Sequence, residues 1–236
     1  MAKENKTLGR EVGFCNPGLS SVLDNFLSED VLPRTSLDGK TRGIAIISVL
    51  AGSQSAEDFK EALPSIMEGG VTADEVYETL YQAVAYLGIG RTYPFLKYAD
   101  EVLGGNGREY TSATDAAERL DRGEKAQIEI FGAQMKGFAA SGDAMTGHIN
   151  EWLVKNCFGD YYTRGVLGYA QREMITFCLL AAQGGCEPQL KSHTAANIRI
   201  GNDAAFLTDV ISQCMPYIGY PRTLNALAAI KEVSAK

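Results

Sequence analysis

The feature that most constrains the fold is an internal repeat, because the second half of the chain resembles the first. Arg42 corresponds to Arg172, 130 positions later. Residues 86–92 resemble residues 217–223 at an offset of 131. A register that slips by one position over such a span indicates a duplicated module of roughly 90 to 100 residues. We therefore expect two similar units that share one core.

The two copies differ in their reactive side chains. Where the second copy carries Cys186 and His193, the aligned positions of the first carry Ala56 and Leu63. This difference predicts a first copy with a degenerate site and a second copy that is equipped for chemistry.

The predicted organisation has three parts. Residues 1–110 form the first copy, residues 111–140 form one long connecting helix, and residues 141–236 form the second copy. The connecting region is charged and rich in alanine, and Ser141–Asp143 would close its helix.

Hydrophobic periodicity and helix-capping residues predict a chain that is almost entirely helical. Thr72 and Glu75 form a capping box, which opens an amphipathic helix ending near Leu87. The glycine-bounded run 37–52 is long and apolar enough for a buried helix. In the second copy, helices are predicted over 168–183, 187–200, 203–218 and 221–234.

Composition excludes several classes of function. A net charge of −7 argues against a nucleic-acid partner, since phosphate binding needs clustered Lys and Arg. No apolar run is long enough to span a membrane, and the polar N-terminus does not resemble a signal peptide. Five widely spaced cysteines without a CxxC pair indicate reduced thiols and a cytoplasmic location. Two histidines offer little to a metal centre.

One helix of the second copy is apolar on most of its faces. The stretch Met174–Ala182 contains almost no polar side chain, so it must be covered on several sides. Burial between the copies or between subunits would cover it. We therefore expect a homo-oligomer.

Three candidate site residues share one face of a predicted helix, since Cys186, Gln189 and His193 are spaced for it. His193 is the candidate for proton transfer, although a buried core histidine is an equal alternative. Gln189, four residues earlier, is placed to orient the ring. A position in the first turn would favour the thiolate of Cys186, although a lone cysteine on a helix is more often a small buried hydrophobe. The other cysteines, read as core or incidental, are Cys15, Cys157, Cys178 and Cys214.

Charged residues near these positions are also candidates. Glu173 lies in an otherwise apolar helix and needs a partner, which is either Arg172 in an ion pair or a catalytic arrangement. Arg164 follows an aromatic cluster and is placed to bind a substrate carboxylate or to cap a helix. Because Arg42 recurs opposite Arg172, that arginine is also a candidate for a role in the fold.

Several motifs together resemble the carboxymuconolactone decarboxylase family. The motifs are Phe158–Arg164, Gln171–Glu173, Cys186-x-x-Gln189-Leu190-x-x-His193 and Gly219–Ala226. The likeness covers residues 145–235, and a weaker version covers residues 20–105. It implies an all-α bundle of the alkylhydroperoxidase D-like type, here in two tandem copies, that assembles into trimers or hexamers.

The resemblance implies one of two activities. One branch of the family decarboxylates 4-carboxymuconolactone to the enol-lactone of 3-oxoadipate without a cofactor. The other branch reduces peroxides with a CxxC pair and a histidine. Gln189 stands where the second cysteine of that pair belongs, so the decarboxylase branch is the leading interpretation.

Roles follow from this interpretation for a small carboxylated lactone or related keto acid as substrate. His193 donates a proton, Glu173 tunes it or relays a second proton, and Arg164 anchors a carboxylate. Arg172 and Gln189 are further candidates for substrate binding. No cofactor is expected. Two alternatives stay open: a one-cysteine thiol peroxidase that uses Cys186, and a non-catalytic oligomeric partner protein.

Overall fold

The computed structural model describes residues 17–105 and 115–235, and every regular element in these ranges is helical. This result confirms the predicted all-α class. Cys15 lies outside the described residues. The α-helices are α1 (Pro17–Asn25), α2 (Gly39–Ser53), α3 (Ala56–Glu68), α4 (Ala73–Leu87), α5 (Ile89–Leu103), α6 (Ala116–Phe131), α7 (Gly147–Trp152), α8 (Tyr169–Gln183), α9 (Glu187–Arg199) and α10 (Ala204–Ser234). Two π-helical segments, Phe26–Val31 and Leu153–Tyr162, follow α1 and α7, and short 3-10 turns cover Leu32–Arg34, Ala133–Met135 and Phe138–Ala140.

Helix lengths repeat along the chain. Helices α2 and α8 have 15 residues each, and α3 and α9 have 13 each. Helices α4 and α5 correspond to the two halves of α10. The break inside α10 is at Gly219, with φ 77° and ψ 167°. The matching break between α4 and α5 is at Gly88, with φ 77° and ψ 156°. This order is the one expected of two copies of a module, and the domain boundaries themselves stay a prediction.

The helix starts correct the alignment of the two copies. Helices α3 and α9 begin 131 positions apart, at Ala56 and Glu187, and not 130. His193 therefore corresponds to Ala62 and Cys186 to Ser55, so the pairings read from the sequence were one residue out. The first copy still carries neither an imidazole nor a thiol at these positions.

The connecting helix is shorter than the predicted span 111–140. Helix α6 ends at Phe131 because Gly132 takes a φ of 112°, which residues with side chains rarely adopt. Gly137, with a φ of 76°, turns the chain again. A single helix to residue 140 was therefore wrong, and residues 111–114 lie outside the described part.

Helices α2 and α8 form the centre of the core and pack directly against each other. Gly52 permits this approach, since a Cβ there would lie 2.7 Å from the Cβ of Ala182 and 2.8 Å from the carbonyl oxygen of Leu179. The apolar stretch Met174–Ala182 is therefore buried between the two halves of the chain. Its burial needs no partner subunit, so the expected homo-oligomer must depend on other residues.

The capping box predicted for α4 is present. The Thr72 hydroxyl accepts a hydrogen bond from the Glu75 amide at 3.3 Å, and the Thr72 amide donates to the Glu75 carboxylate at 2.8 Å. Burial acts to raise the pKa of Glu75, but hydrogen bonds from Thr72 and Lys40 outweigh it and leave the pKa below its ordinary value. The cap fixes the start of a helix that carries three residues of the candidate site.

Among residues 17–105 and 115–235, no helix combines the length and the hydrophobicity that a membrane span requires. The cytoplasmic location stays a prediction.

Candidate active site

The centre of the candidate site is a contact between Glu173 of α8 and His193 of α9. Nδ1 of His193 lies 2.7 Å from Oε2 of Glu173. The Glu173 side chain is fully buried, and that of His193 is 11% exposed. Glu173 is therefore paired with the histidine and not with Arg172. Since Nδ1 faces the buried carboxylate, Nε2 is the ring nitrogen that Glu173 does not engage.

A buried asparagine holds the two helices in register. The side-chain amide of Asn197 donates to the carbonyl oxygens of Glu173, at 2.9 Å, and of His193, at 2.8 Å. It sits one turn after the histidine on α9. Sequence reasoning missed Asn197, whose only signal was an amide at this position on a helix.

A tyrosine completes the surroundings of the carboxylate. The hydroxyl of Tyr162, at the end of the second π-helical segment, donates to Oε1 of Glu173 at 2.8 Å. The same hydroxyl lies 2.7 Å from Oγ1 of Thr176 and 2.8 Å from the hydroxyl of Tyr86. Burial raises the pKa of both tyrosines well above the ordinary value, so both keep their protons at neutral pH.

Aromatic rings form the walls around the imidazole. The ring of Phe131, from α6, meets the His193 ring edge-on at 5.3 Å, and the ring of Tyr86 does so at 5.6 Å. Phe158 packs edge-on against Phe131 at 5.7 Å. These walls remove water from the histidine and strengthen its interaction with the carboxylate.

Gln189 and Cys186 lie apart from this centre. Gln189 is exposed, and within the described ranges no hydrogen bond joins it to His193. The orienting role predicted for Gln189 was wrong, because Glu173 holds the ring. Cys186 immediately precedes α9 and is half-buried. Its Sγ lies 3.5 Å from the carbonyl oxygen of Leu180.

The two arginines proposed for substrate binding are both bonded to Glu78. Nε of Arg164 lies 2.8 and 3.0 Å from the two carboxylate oxygens, and Nη2 of Arg172 lies 3.0 Å from one of them. Arg172 is fully buried and also donates to Gln82 at 3.0 Å. The Arg164 guanidinium lies 4.8 Å from the ring centroid of Tyr81. This geometry favours a structural role for both arginines.

Helix α4 of the first copy therefore reaches into the site of the second. Glu78, Gln82 and Tyr86 are spaced four residues apart, so they share one face of α4. The Gln82 side-chain amide donates to Oγ1 of Thr176 at 2.9 Å and to the carbonyl oxygen of Arg172 at 2.7 Å. Sequence reasoning missed all three α4 residues, although three polar positions on one face of a buried helix were a usable signal.

The first copy has no equivalent of the carboxylate. Gly43 stands at the position that corresponds to Glu173. A Cβ at Gly43 would lie 2.7 Å from Cγ2 of Val71 and 3.0 Å from Cγ2 of Ile66. Apolar side chains therefore fill the space that the second copy uses for its acid–base pair.

The fold and the site together define an all-helical protein that carries a buried carboxylate, an imidazole fixed by it, and aromatic walls around the ring. Residues 148–232, which include Glu173 and His193, match the model of the carboxymuconolactone decarboxylase family.

A solved structure has a similar fold along almost the whole chain. It is that of a proposed gamma-carboxymuconolactone decarboxylase subunit from Burkholderia xenovorans LB400, with a TM-score of 0.56 and 20% sequence identity. The likeness covers 97% of this chain and 95% of that one. At this identity it shows the fold alone. No curated protein matches the sequence.

Proposed function

We propose that the protein is a cofactor-free, decarboxylase-like enzyme that acts on a small carboxylated lactone or a related keto acid. The observation that carries the proposal is the Glu173–His193 pair, whose 2.7 Å contact engages Nδ1 and leaves Nε2 as the ring nitrogen that is not bonded to the carboxylate. A histidine held in this way is suited to proton transfer to or from a small molecule. The match of residues 148–232 to the model of the carboxymuconolactone decarboxylase family supports the same class of reaction.

In the proposed reaction, the carbon–carbon bond to the substrate carboxylate breaks and carbon dioxide leaves. The electron pair of that bond passes into the conjugated carbonyl system. Nε2–H of the His193 imidazolium protonates the carbon skeleton, which leaves a neutral imidazole, and a proton from water restores the imidazolium. The Glu173 carboxylate stabilises the positive charge on the ring before the transfer. The aromatic walls restrict water around the carbanion.

Substrate contacts are assigned by position. Gln189 is exposed and lies one turn before His193 on α9, so we propose that it donates a hydrogen bond to the substrate. We do not assign carboxylate anchoring to Arg164, because its guanidinium is already bonded to both oxygens of Glu78. Arg172 is fully buried and serves the core.

The test is carbon dioxide release from a panel of carboxylated lactones and keto acids, with substrate loss followed by ultraviolet absorbance. His193→Ala and Glu173→Gln should each lower kcat by about 100-fold or more, the contribution expected of a positioned acid–base group. His148→Ala is the matched control, since this other histidine of the chain is exposed and packs against Trp152. Full activity in folded His193→Ala would remove the histidine from the mechanism.

A second candidate function is a one-cysteine thiol peroxidase. The observation in its favour is the place of Cys186, which is half-buried at the start of α9, while Cys157, Cys178 and Cys214 are buried. In this reaction the Cys186 thiolate would attack a peroxide oxygen and release water or an alcohol, and the sulfenic acid would need an external thiol as reductant. Thiol-dependent peroxide consumption that disappears in Cys186→Ser would support this function. No consumption in either protein would leave the decarboxylase proposal.

We also propose that the chain assembles with copies of itself. Large apolar side chains are exposed on both halves at corresponding positions, which is expected if each half presents the same kind of contact surface. The corresponding pairs are Leu19 and Ile149, Val22 and Trp152, Ile89 and Tyr220, and Tyr93 and Leu224. Light scattering on wild type and Trp152→Glu tests this: a mass that falls to the monomer in the variant supports it, and a monomeric wild type refutes it.

A further inference from the structure

The hydroxyl of Tyr162 has three hydrogen-bond neighbours but only one hydrogen to donate. It lies within hydrogen-bond distance of Glu173, Thr176 and Tyr86, but a phenol carries one hydrogen and accepts two at most. Of the three neighbours, only the carboxylate has no hydrogen of its own to give. The direction of each bond therefore depends on what Thr176 and Tyr86 receive from their other sides.

Thr176 and Tyr86 each accept a hydrogen bond from a further residue. The side-chain amide of Gln82 donates to Oγ1 of Thr176 at 2.9 Å, which leaves the threonine hydrogen for Tyr162. The thiol of Cys157 donates to the Tyr86 hydroxyl at 3.8 Å, which leaves the Tyr86 hydrogen for Tyr162. Burial raises the pKa of Cys157 to about 12, so this thiol keeps its proton at neutral pH.

Two chains of donors therefore converge on one phenol. With Thr176 and Tyr86 filling its acceptor positions, the Tyr162 hydrogen is directed to Oε1 of Glu173. The other oxygen of Glu173 then accepts from Nδ1–H of His193. These assignments give the bonds of the cluster directions that all lead to the carboxylate.

We propose that Tyr162 is a positioning residue, set by Thr176 of the second copy and Tyr86 of the first, which keeps Glu173 an acceptor of Nδ1–H and so leaves Nε2 as the nitrogen of His193 that gains and loses the proton. Its effect on turnover depends on the proposed function, but the arrangement itself does not. The first copy thereby takes part in the site of the second through Tyr86 and Gln82.

Loss of a donor to the carboxylate has a definite sign. The state with neutral imidazole and ionised Glu173 carries one more negative charge than the state with a protonated pair. Without the Tyr162 hydroxyl, the more negative state is less stable, so the pair takes up its proton at higher pH. The ionisable groups around the pair are Glu173, Tyr162, Cys157 and Tyr86, with Arg172 and Glu78 beyond Tyr162.

Nitrogen-15 NMR of the imidazole rings measures this directly in the intact, substrate-free protein, since the chain has only two histidines. In Tyr162→Phe, the titration midpoint of the His193 ring should rise by about one to two pH units, the range for a hydrogen bond to a charged group. Tyr86→Phe and Thr176→Val should raise it by about 0.2 to 0.5 unit, because they only polarise Tyr162. Unchanged midpoints in all folded variants would overturn the proposal.

Two controls separate positioning from general damage. Thr176→Ser keeps the hydroxyl and should titrate as wild type. Tyr217→Phe removes a hydroxyl at the position that corresponds to Tyr86, on α10, and should leave the His193 midpoint unchanged. A shift in Tyr217→Phe as large as that in Tyr86→Phe would refute the specific role of Tyr86.

Turnover assays then distinguish the two proposals. If the midpoints shift as expected and wild type releases carbon dioxide, the pH profile of kcat in Tyr162→Phe should move by the same amount. If the midpoints shift but no lactone or keto acid is decarboxylated, the positioning role stands and the proposed function fails. If wild type is active and the midpoints do not move, the proposed function stands and the positioning role of Tyr162 fails.

Discussion

Glu78→Gln tests whether α4 holds the second copy together. Glu78 is buried and its carboxylate makes three contacts of 2.8–3.0 Å with Arg164 and Arg172. Glutamine has nearly the same shape and keeps one acceptor oxygen, but it removes the negative charge. Two arginines would then be left next to each other without their counter-charge, one of them fully buried.

The magnitude follows from the burial of the pair. Breaking a buried ion pair by removing one partner costs about 3–5 kcal/mol, and the remaining acceptor puts Glu78→Gln near the lower figure, about 3 kcal/mol. For a chain of this size, the loss corresponds to a fall in Tm of about 6–12 °C. Burial lowers the pKa of Arg172 while the bond to Glu78 opposes that shift, so the guanidinium relies on this carboxylate.

Thermal unfolding followed by circular dichroism is the assay, with Asp209→Asn as the matched control. Asp209 occupies the corresponding position on α10, but it accepts hydrogen bonds from the exposed Ser36, and no arginine among residues 17–105 and 115–235 is bonded to it. Its Tm should stay within about 3 °C of wild type. Adding Arg172→Met to Glu78→Gln should restore part of the lost stability. A Tm for Glu78→Gln within 2 °C of wild type, about one kcal/mol at most, would refute the reasoning.

Three further predictions concern other parts of the chain. In Gly159→Ala, the new Cβ would lie 2.4 Å from a carbonyl oxygen of α6, so we expect a loss of about 1–3 kcal/mol, measured by Tm; Gly165→Ala, with open space around it, should have little effect, and equal losses would contradict this. In Glu75→Gln, we expect a loss of about 1 kcal/mol at neutral pH, since capping hydrogen bonds lower the pKa of the wild-type carboxylate although burial acts to raise it. Because the folded pKa is the lower one, the advantage of wild type should be complete above pH 4.5 and vanish as the pH falls through the folded pKa; a constant difference in denaturant titrations from pH 7 to pH 2 would count against it. Alkylation of the native protein at pH 8, read by peptide mass mapping, should modify Cys186 well before Cys157, whose pKa burial raises to about 12; faster labelling of Cys157 would show that the cluster opens.

Much of the fold could be predicted because its signals are local. Caps and apolar periodicity placed α4 and α8 within a residue or two of their observed bounds. The extent of α6 could not be predicted in this way, because alanine-rich charged sequence favours a helix on both sides of Gly132. That glycine ends the helix through its backbone conformation, and a glycine within a helical pattern does not reveal this by itself.

Only part of the candidate site could be predicted from the sequence, and the reason is physical. Glu173 stood out as a charge in an otherwise apolar helix, and His193 stood out because an imidazole transfers protons near neutral pH and the first copy has none at the aligned position. Their supporting partners are ordinary residues brought together over long separations, such as Tyr86 and Tyr162, which are 76 positions apart. Nothing local distinguishes such a tyrosine from one in the core, so its role emerges from the packing of α4 against α8 and against the second π-helical segment.

The packing of α4 also explains why the first half is needed although it has no Glu–His pair of its own. Arg42 donates a hydrogen bond to Gln213 at 3.0 Å, as Arg172 does to Gln82. The two Nη atoms of Arg42, however, are buried and have no hydrogen-bond partner in the described part of the chain, and Asp209, at the position that corresponds to Glu78, is bonded to Ser36 instead. Meanwhile α4 still supplies Glu78, Gln82 and Tyr86 to the other half. The first half therefore lacks a Glu–His pair but supplies the face that completes the candidate site of the other half. We expect a chain shortened to the second half alone to lose both the buried counter-charge and the donors that converge on the carboxylate.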